Sequence, residues 1–547
     1  MRGGARMSPE SYADVVRSFA WETVHEALGW KPGEKVSLGS SIVDRHAESG
    51  RVALISIGSE GAERRFTYRD LSEASNRFAN LLQRLGVRSG DRVAGLMPRG
   101  PEVVVAIIGA LKLGAIYVPI FTGFGPDAIR FRLDHCRAKV LVTHHQVTGQ
   151  IPAGITARIV CVSQPGAGLP TGYLDFHAEI ERETADFSCF LRDREDTAAL
   201  IYTSGSTGQP KGGAIAVNFL AAVWPYIVYG LDLRRDDMFW PTGDPGWGYG
   251  FVCYLGALAA GGTVISVHDN PTAELCLAVL QKYGVTNLAT TPTLLRSLLV
   301  LDDQTLRAAD IRLRALSSCG EPLNAKVVES FRRVWNITPM DHFGATEYAL
   351  PIGNFNAIPM AVKPGSMGLP FPGFRMAIVG EEGNELPAGE VGFIGKRTDS
   401  NCRYWTSYWD DPAATSKLVR NGWIVTGDLG RRDQHGYFWF EGRAGDMIKS
   451  AGYRIGPFEV ESALLKHPAV AEAAVVGKPD EMRGEIVKAF IVLRPGIPGS
   501  DELARELVLS VRTSVGRHQY PREIEFVDAL PKTETGKIQR FVLRQRA

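Results

Sequence analysis

The sequence predicts an α/β protein: a large N-terminal domain of helix-covered sheets plus a small barrel, followed by a small α+β C-terminal domain. Three observations predict it. Helix-like and strand-like segments alternate over most of the 547 residues. A Pro- and Gly-punctuated stretch, 365–395, breaks that rhythm with short apolar runs (RMAIVG, GEVGFIG), as a small antiparallel barrel or sheet would. A glycine-rich, charged segment, 441–452, then precedes a compact helix–strand mixture.

Taken in order, 66–68 is strand-like and Asp70 can cap a helix over 71–85. Leu71, Phe78, Leu81, Leu82 and Leu85 fall near one face of that helix. Residues 91–96 read as a strand, 103–113 as a helix and 115–119 as the next strand. Strand–helix–strand order implies a parallel, helix-covered sheet. Further strands are expected at 140–143, 197–202 and 285–290. Beyond the break come a helix at 459–466, strands at 472–476 and 488–493, a helix at 502–515 and a strand at 523–526. The expected domains are therefore 1–441 and 442–547.

Composition narrows the function classes. There are 61 basic and 60 acidic residues, a net charge of +1, so no nucleic-acid or membrane-surface partner is implied. Pairs such as Arg64 and Arg65 read as a solvated face. Seven cysteines, scattered and without metal-ligand spacing, point to a reducing, cytoplasmic compartment. No apolar run reaches the ~18 residues of a membrane span. The first residues lack the apolar core of a secretion signal. A homo-oligomer is compatible with all of this.

The richest local signal is TSGSTGQPKGG, 203–213. Thr203, Ser204, Ser206 and Thr207 bring hydroxyls, Gly205 and Gly208 admit an anion close to backbone N–H groups, and Lys211 adds a cation. The run reads as a polyphosphate cradle. It is not a GxxxxGK[ST] loop, because Pro210 precedes the lysine and Gly212 follows it. The alternative is an ordinary turn between two strands.

Five further segments follow in order: SSCGEPL (317–323), DHFGATE (341–347), VTGDLG (425–430), GRAGDMIKSAGYRIGPFEVE (442–461) and LPKTETGKIQR (530–540). Together with the cradle they resemble the adenylate-forming superfamily, and most closely its short- and medium-chain acyl-CoA synthetases. The likeness spans most of the chain. It implies a carboxylic acid activated with ATP to an acyl-adenylate, release of pyrophosphate, and transfer of the acyl group to CoA. It also implies a mobile C-terminal domain. A carboxylate and ATP repel each other, so such a site needs cations and N–H donors fixed around the phosphates.

The resemblance implies residue roles. Thr203 to Lys211 hold the phosphates, and Glu347 helps hold Mg²⁺, as a hard oxygen ligand should. Gly320, Glu321, Pro322 and the run Asp341, His342, Phe343, Gly344, Ala345, Thr346 wall the adenine. Asp428 accepts from ribose hydroxyls, and Arg443 and Arg454 meet ribose or phosphate oxygens. Lys537 bridges the carboxylate and the α-phosphate. Ala451, Gly452, Tyr453, Arg483 and Arg512 receive CoA. Gly445 stands at the hinge position, where the family often has Asp or Lys. Ile215 and Val217 stand where many members have histidines. Trp247, Gly248, Tyr249, Cys319 and Gly344 line the acyl pocket. Acetate-using members carry Trp at the position of Gly344, so glycine is expected to open depth for an acid larger than acetate. A carrier-protein thiol as acceptor, and an inactive nucleotide-binding relative, stay open as alternatives.

Overall fold

The computed structural model describes residues 11–547 except 165, 167, 204–209, 399–401, 451–452, 515–518 and 533–537. Among the described residues the alternating region builds two large sheets. The first has nine strands, ordered Leu369–Pro370, Ala349–Gly353, Met340–Ala345, Ala315–Cys319, Asn287–Thr290, Met238–Pro241, Thr263–Val267, Val52–Ile57 and Glu63–Thr67. The second has eight, ordered Trp405–Tyr408, Lys211–Ala216, Thr197–Thr203, Ile116–Ile120, Arg92–Leu96, Val140–His144, Arg158–Val162 and Leu174–Asp175. Their interiors are parallel and their outer pairs largely antiparallel. Parallel strands need covered faces. Helices Pro101–Lys112 and Gly248–Ala260 are buried almost all round, and share one apolar core with Val93 and Tyr117 of one sheet and Phe239 and Val264 of the other.

The helix expected at 71–85 runs Tyr68–Arg84, and its start corrects the expected cap. Thr67, not Asp70, is the N-cap. Its Oγ1 accepts from Asp70 N–H (3.1 Å), while the Asp70 carboxylate accepts from Thr67 N–H (2.7 Å). This reciprocal box satisfies two orphan donors. Asp70 is thus the third helical residue.

The Pro/Gly-rich stretch forms part of an antiparallel, curled half-barrel. Met376–Val379, Val391–Arg397, Trp423–Arg432 and Phe438–Arg443 pair in succession. A last sheet follows. Val470–Asp480 and Gly484–Leu493 pair antiparallel, Glu523–Phe526 joins Gly484–Leu493 in parallel, and helices Pro457–Leu464 and Asp501–Ser514 pack with them.

Three strand ends matter for function. Thr203, Cys319 and Ala345 each end a strand whose inner neighbour runs parallel to it. The segments that follow therefore leave from carboxyl ends, where open α/β sheets place ligands.

Candidate active site

Thr203 and Lys211 face each other across the antiparallel pair that flanks the glycine-rich run. Ser204, Gly205, Ser206, Thr207 and Gly208 lie outside the described residues. The strand after the run also pairs with Trp405–Tyr408, with Gly213 opposite Tyr408. That register sets the Lys211 ammonium 5.2 Å from the centre of the Tyr408 ring. The Tyr408 hydroxyl donates to Glu347 Oε1 at 2.6 Å.

Glu347 sits in the turn between Met340–Ala345 and Ala349–Gly353. It is buried, and burial holds its carboxyl above the usual carboxylate range. The Tyr408 hydrogen bond and Arg443 favour its charged form, whereas Asp428 opposes it. Asp428 is buried too. Its Oδ1 accepts from Arg443 Nε (3.2 Å) and its Oδ2 from Thr426 Oγ1 (2.8 Å). The Thr426 hydroxyl also meets that of Tyr348. The structure thus brings Lys211, Glu347, Asp428 and Arg443 to one place. Thr346 joins them: a Cβ on Gly213 would stand 2.9 Å from its methyl. Tyr408 links the two large sheets here, and sequence reasoning missed it. Its only signal was the aromatic run YWTSYW, 404–409.

No group of three His, Cys, Asp or Glu side chains among the described residues makes a metal cage. Mg²⁺ bound with a nucleotide uses one or two carboxylates plus phosphate oxygens and water. A buried, charge-strained Glu347 beside Asp428 fits that demand.

The residues expected to wall the adenine follow strand Ala315–Cys319 or lie on and just after Met340–Ala345. Gly320 follows its strand at φ +100°, a left-handed conformation that favours glycine. Glu321 accepts from Thr293 Oγ1 (2.6 Å) and Arg296 Nη2 (2.7 Å). Pro322 is half-buried beside it. Asp341 is buried, and burial pushes its carboxyl well above the carboxylate range. Its Oδ2 accepts from Leu323 N–H at 3.4 Å, and its Oδ1 has no partner among the described residues. Burial pulls His342 down to about 4, so the ring is neutral. Its Nε2 donates to the Asn354 carbonyl at 2.9 Å. Phe343 packs near Tyr348 and Phe440.

The acyl side corrects one expectation. Gly344 does not open depth. It lies where the register of the Met340–Ala345 and Ala349–Gly353 pair shifts between Phe343 and Ala345. A Cβ there would stand 2.2 Å from the Ala349 carbonyl oxygen and 3.1 Å from Leu350 Cγ. Glycine is required by this bulge, and the chain's own backbone fills the space. Gly344→Ala is therefore expected to destabilise the protein by about 1–3 kcal/mol, read by denaturant unfolding, and to slow all acids alike. Narrowing of the substrate range at unchanged stability would contradict this. Gly248 differs. A Cβ there would meet only Ile201 methyl carbons at 3.6 Å. Trp247 packs on Phe121 and Phe124. The Tyr249 hydroxyl pairs with that of Tyr226 at 3.1 Å, and Cys319 is buried close by.

The remaining expected residues belong to the C-terminal part. Ala451, Gly452 and Lys537 lie outside the described residues. Tyr453 and Arg454 form a short strand opposite Ser450 and Lys449, and their side chains are likewise outside the description. Arg483 is exposed in the turn before Gly484, with its N–H donating to Asp480 Oδ1 (2.8 Å). Arg512 is exposed on helix Asp501–Ser514, its guanidinium 5.6 Å from the Tyr520 ring centre. Gly445 has open space where a Cβ would stand. The next residue, Asp446, takes an ion pair from Arg544.

Carboxylates and a lysine gathered beside the carboxyl ends of parallel strands suit a nucleotide-binding enzyme of the α/β class. A scan against protein-family models matches residues 43–403 to the AMP-binding enzyme family, and 459–537 to the AMP-binding enzyme C-terminal domain. The chain belongs to the AMP-binding enzyme family. It is 38% identical to the acetyl-coenzyme A synthetase of Bacillus subtilis (strain 168), over 98% of this chain and 95% of that one. Among solved structures it resembles an acyl-CoA synthetase of Brucella canis (TM-score 0.80, 39% identity, 98% and 99% of the two chains). It also resembles the anthranilate CoA ligase AuaEII in complex with anthranoyl-AMP (TM-score 0.84, 31% identity, 95% and 98%). The enzyme is an AMP-forming acid–CoA ligase. No helix among the described residues is long and apolar enough to cross a membrane.

Proposed function

We propose that this enzyme converts a carboxylic acid larger than acetate, of short to medium chain or branched or aromatic, into its CoA thioester in a cytoplasmic setting. One observation carries the reading: Lys211, Glu347, Asp428 and Arg443, far apart in sequence, meet around Tyr408 and Thr426. The cradle and Lys211 hold the β- and γ-phosphates. Asp428 and Arg443 hold the ribose. The ring of Gly320, Glu321, Pro322 and Asp341 to Thr346 encloses the base. Glu347 would hold Mg²⁺, which would supply charge neutralisation at the phosphates.

With both anions so fixed, Lys537 neutralises the carboxylate as it attacks the α-phosphate, and pyrophosphate leaves. The CoA thiol then attacks the acyl carbonyl and AMP leaves. Ala451, Gly452, Tyr453, Arg483 and Arg512 serve that second step. Lys537 and the CoA residues act in turn, so the unit 442–547 rotates about Gly445, a hinge-type change. Depth for the acyl chain comes from Gly248 rather than Gly344, between Trp247, Tyr249 and Cys319. Each further buried CH₂ adds about 0.8 kcal/mol, enough for preference but not for absolute selection.

The anthranilate CoA ligase supports an acid larger than acetate, whereas the acetyl-coenzyme A synthetase is named for acetate itself. The test is CoA-dependent release of AMP and pyrophosphate across acids from acetate to octanoate and benzoate. Rates highest above acetate are expected. Acetate as the best acid would overturn the size reading, and ADP as product would overturn the mechanism.

A further inference from the structure

A cavity of about 430 Å³ lies between the half-barrel and the C-terminal unit, beside the segment 442–447 that joins them. Its size is that of a small-molecule site. Part of its lining is apolar, with Leu386, Phe393, Leu429 and Met447. The rest is strongly acidic. Glu441 comes from the last half-barrel strand, Glu459 from the first turn of helix Pro457–Leu464, and Glu381 from the loop after Met376–Val379. Arg431 is the one cation among the described lining residues.

These acids are incompletely matched. Glu441 is 6% exposed. Its Oε1 accepts from Arg431 Nε at 2.7 Å, but its Oε2 accepts from no described residue. Glu459 Oε2 accepts only from the uncharged Gln519 amide, at 2.8 Å. Burial first, and Glu459 second, push the Glu441 carboxyl up to about 7, while Arg431 opposes them. A mostly buried carboxylate with one oxygen left to the cavity, next to a second carboxylate and an apolar wall, suits a cation with a hydrocarbon body.

We propose that this cavity is a binding site for an amphipathic cation, a primary ammonium on a short apolar body, which joins Glu441 of the half-barrel to Glu459 of the C-terminal unit. The ammonium sits between the two carboxylates and relieves their repulsion, and the apolar body covers Phe393, Leu429 and Met447. Such a ligand touches both sides of the connection and so holds them in one mutual orientation. The two sides already approach closely, since a Cβ on Gly456 would stand 2.4 Å from the Glu441 carbonyl oxygen. Protonated Glu441 cannot pair with an ammonium, so affinity rises as pH rises through about 7. The charged groups that line the cavity with Glu441 are Arg431, Glu459 and Glu381; Glu459 raises its carboxyl and Arg431 lowers it.

Titration calorimetry on the full-length protein tests this with phenethylamine and its uncharged isostere 2-phenylethanol. The amine is expected to bind saturably, about tenfold or more tighter than the alcohol, and more tightly at pH 8 than at pH 6. Glu441→Gln is expected to cost the amine about tenfold while leaving the alcohol unchanged. Val391→Trp crowds the cavity from a half-exposed edge and removes binding of both, without touching a carboxylate. The proposal is overturned by equal affinity for amine and alcohol, by the absence of saturable heat, or by wild-type binding in both variants. Displacement of the amine by ATP and substrate acid would put it in the catalytic pocket instead, and would also overturn the proposal.

Discussion

Glu347→Gln is expected to lower adenylation about 10²- to 10³-fold, or roughly 3–4 kcal/mol of transition-state stabilisation. Glutamine keeps the length of the side chain and an oxygen that can accept from the Tyr408 hydroxyl. It removes the negative charge. In a buried position that charge has few substitutes, because Asp428 is already engaged by Arg443 and Thr426. Pyrophosphate exchange at saturating ATP and acid measures the loss directly. The pH profile separates charge from shape. Burial raises the Glu347 carboxyl, so the wild-type rate falls on acidification while pH is still above the usual carboxylate range. The variant has nothing to titrate there and loses that acid limb. Exchange within about threefold of wild type would remove Glu347 from the mechanism.

Lys537→Ala is expected to abolish adenylation, by about 10²-fold or more, yet spare thioester formation from supplied acyl-AMP. The lysine's charge is needed only where two anions are forced together. Once the adenylate exists, the thiol attacks a neutral carbonyl, and that demand has gone. Lys537 lies outside the described residues, so this expectation rests on the motif LPKTETGKIQR and on the family match that spans it. Stopped-flow or single-turnover assays of the two half-reactions decide it. Equal loss in both would contradict the alternation of the C-terminal unit between two tasks.

Much of the fold was legible because its signals are local. Glycine punctuation marked the half-barrel, and apolar runs of four to six residues marked buried strands. The order helix, strand, strand, helix, strand after the break matches Pro457–Leu464, Val470–Asp480, Gly484–Leu493, Asp501–Ser514 and Glu523–Phe526. Element edges were less legible. The Thr67 box depends on two side chains folding back on each other, whereas local sequence points to the nearest acidic residue as the cap. The least legible residue was Gly344. Comparison of side-chain size suggested a hole, but whether a missing side chain leaves a hole depends on what the neighbouring strand does. Here the Ala349 carbonyl and Leu350 occupy it.

The sequence by itself determined the kinds of element, the chemical groups on offer and the family to which they belong. Those follow from periodicity, backbone freedom and motif order along the chain. Only the tertiary structure decided that the Tyr408 hydroxyl meets Glu347 from 61 residues away, that the Lys211 ammonium lies over the Tyr408 ring, and that Glu441 and Glu459 share a cavity. The physical reason is that strand register and burial are set by contacts distant in the chain. They fix which groups lose water together, and so which charges must answer one another.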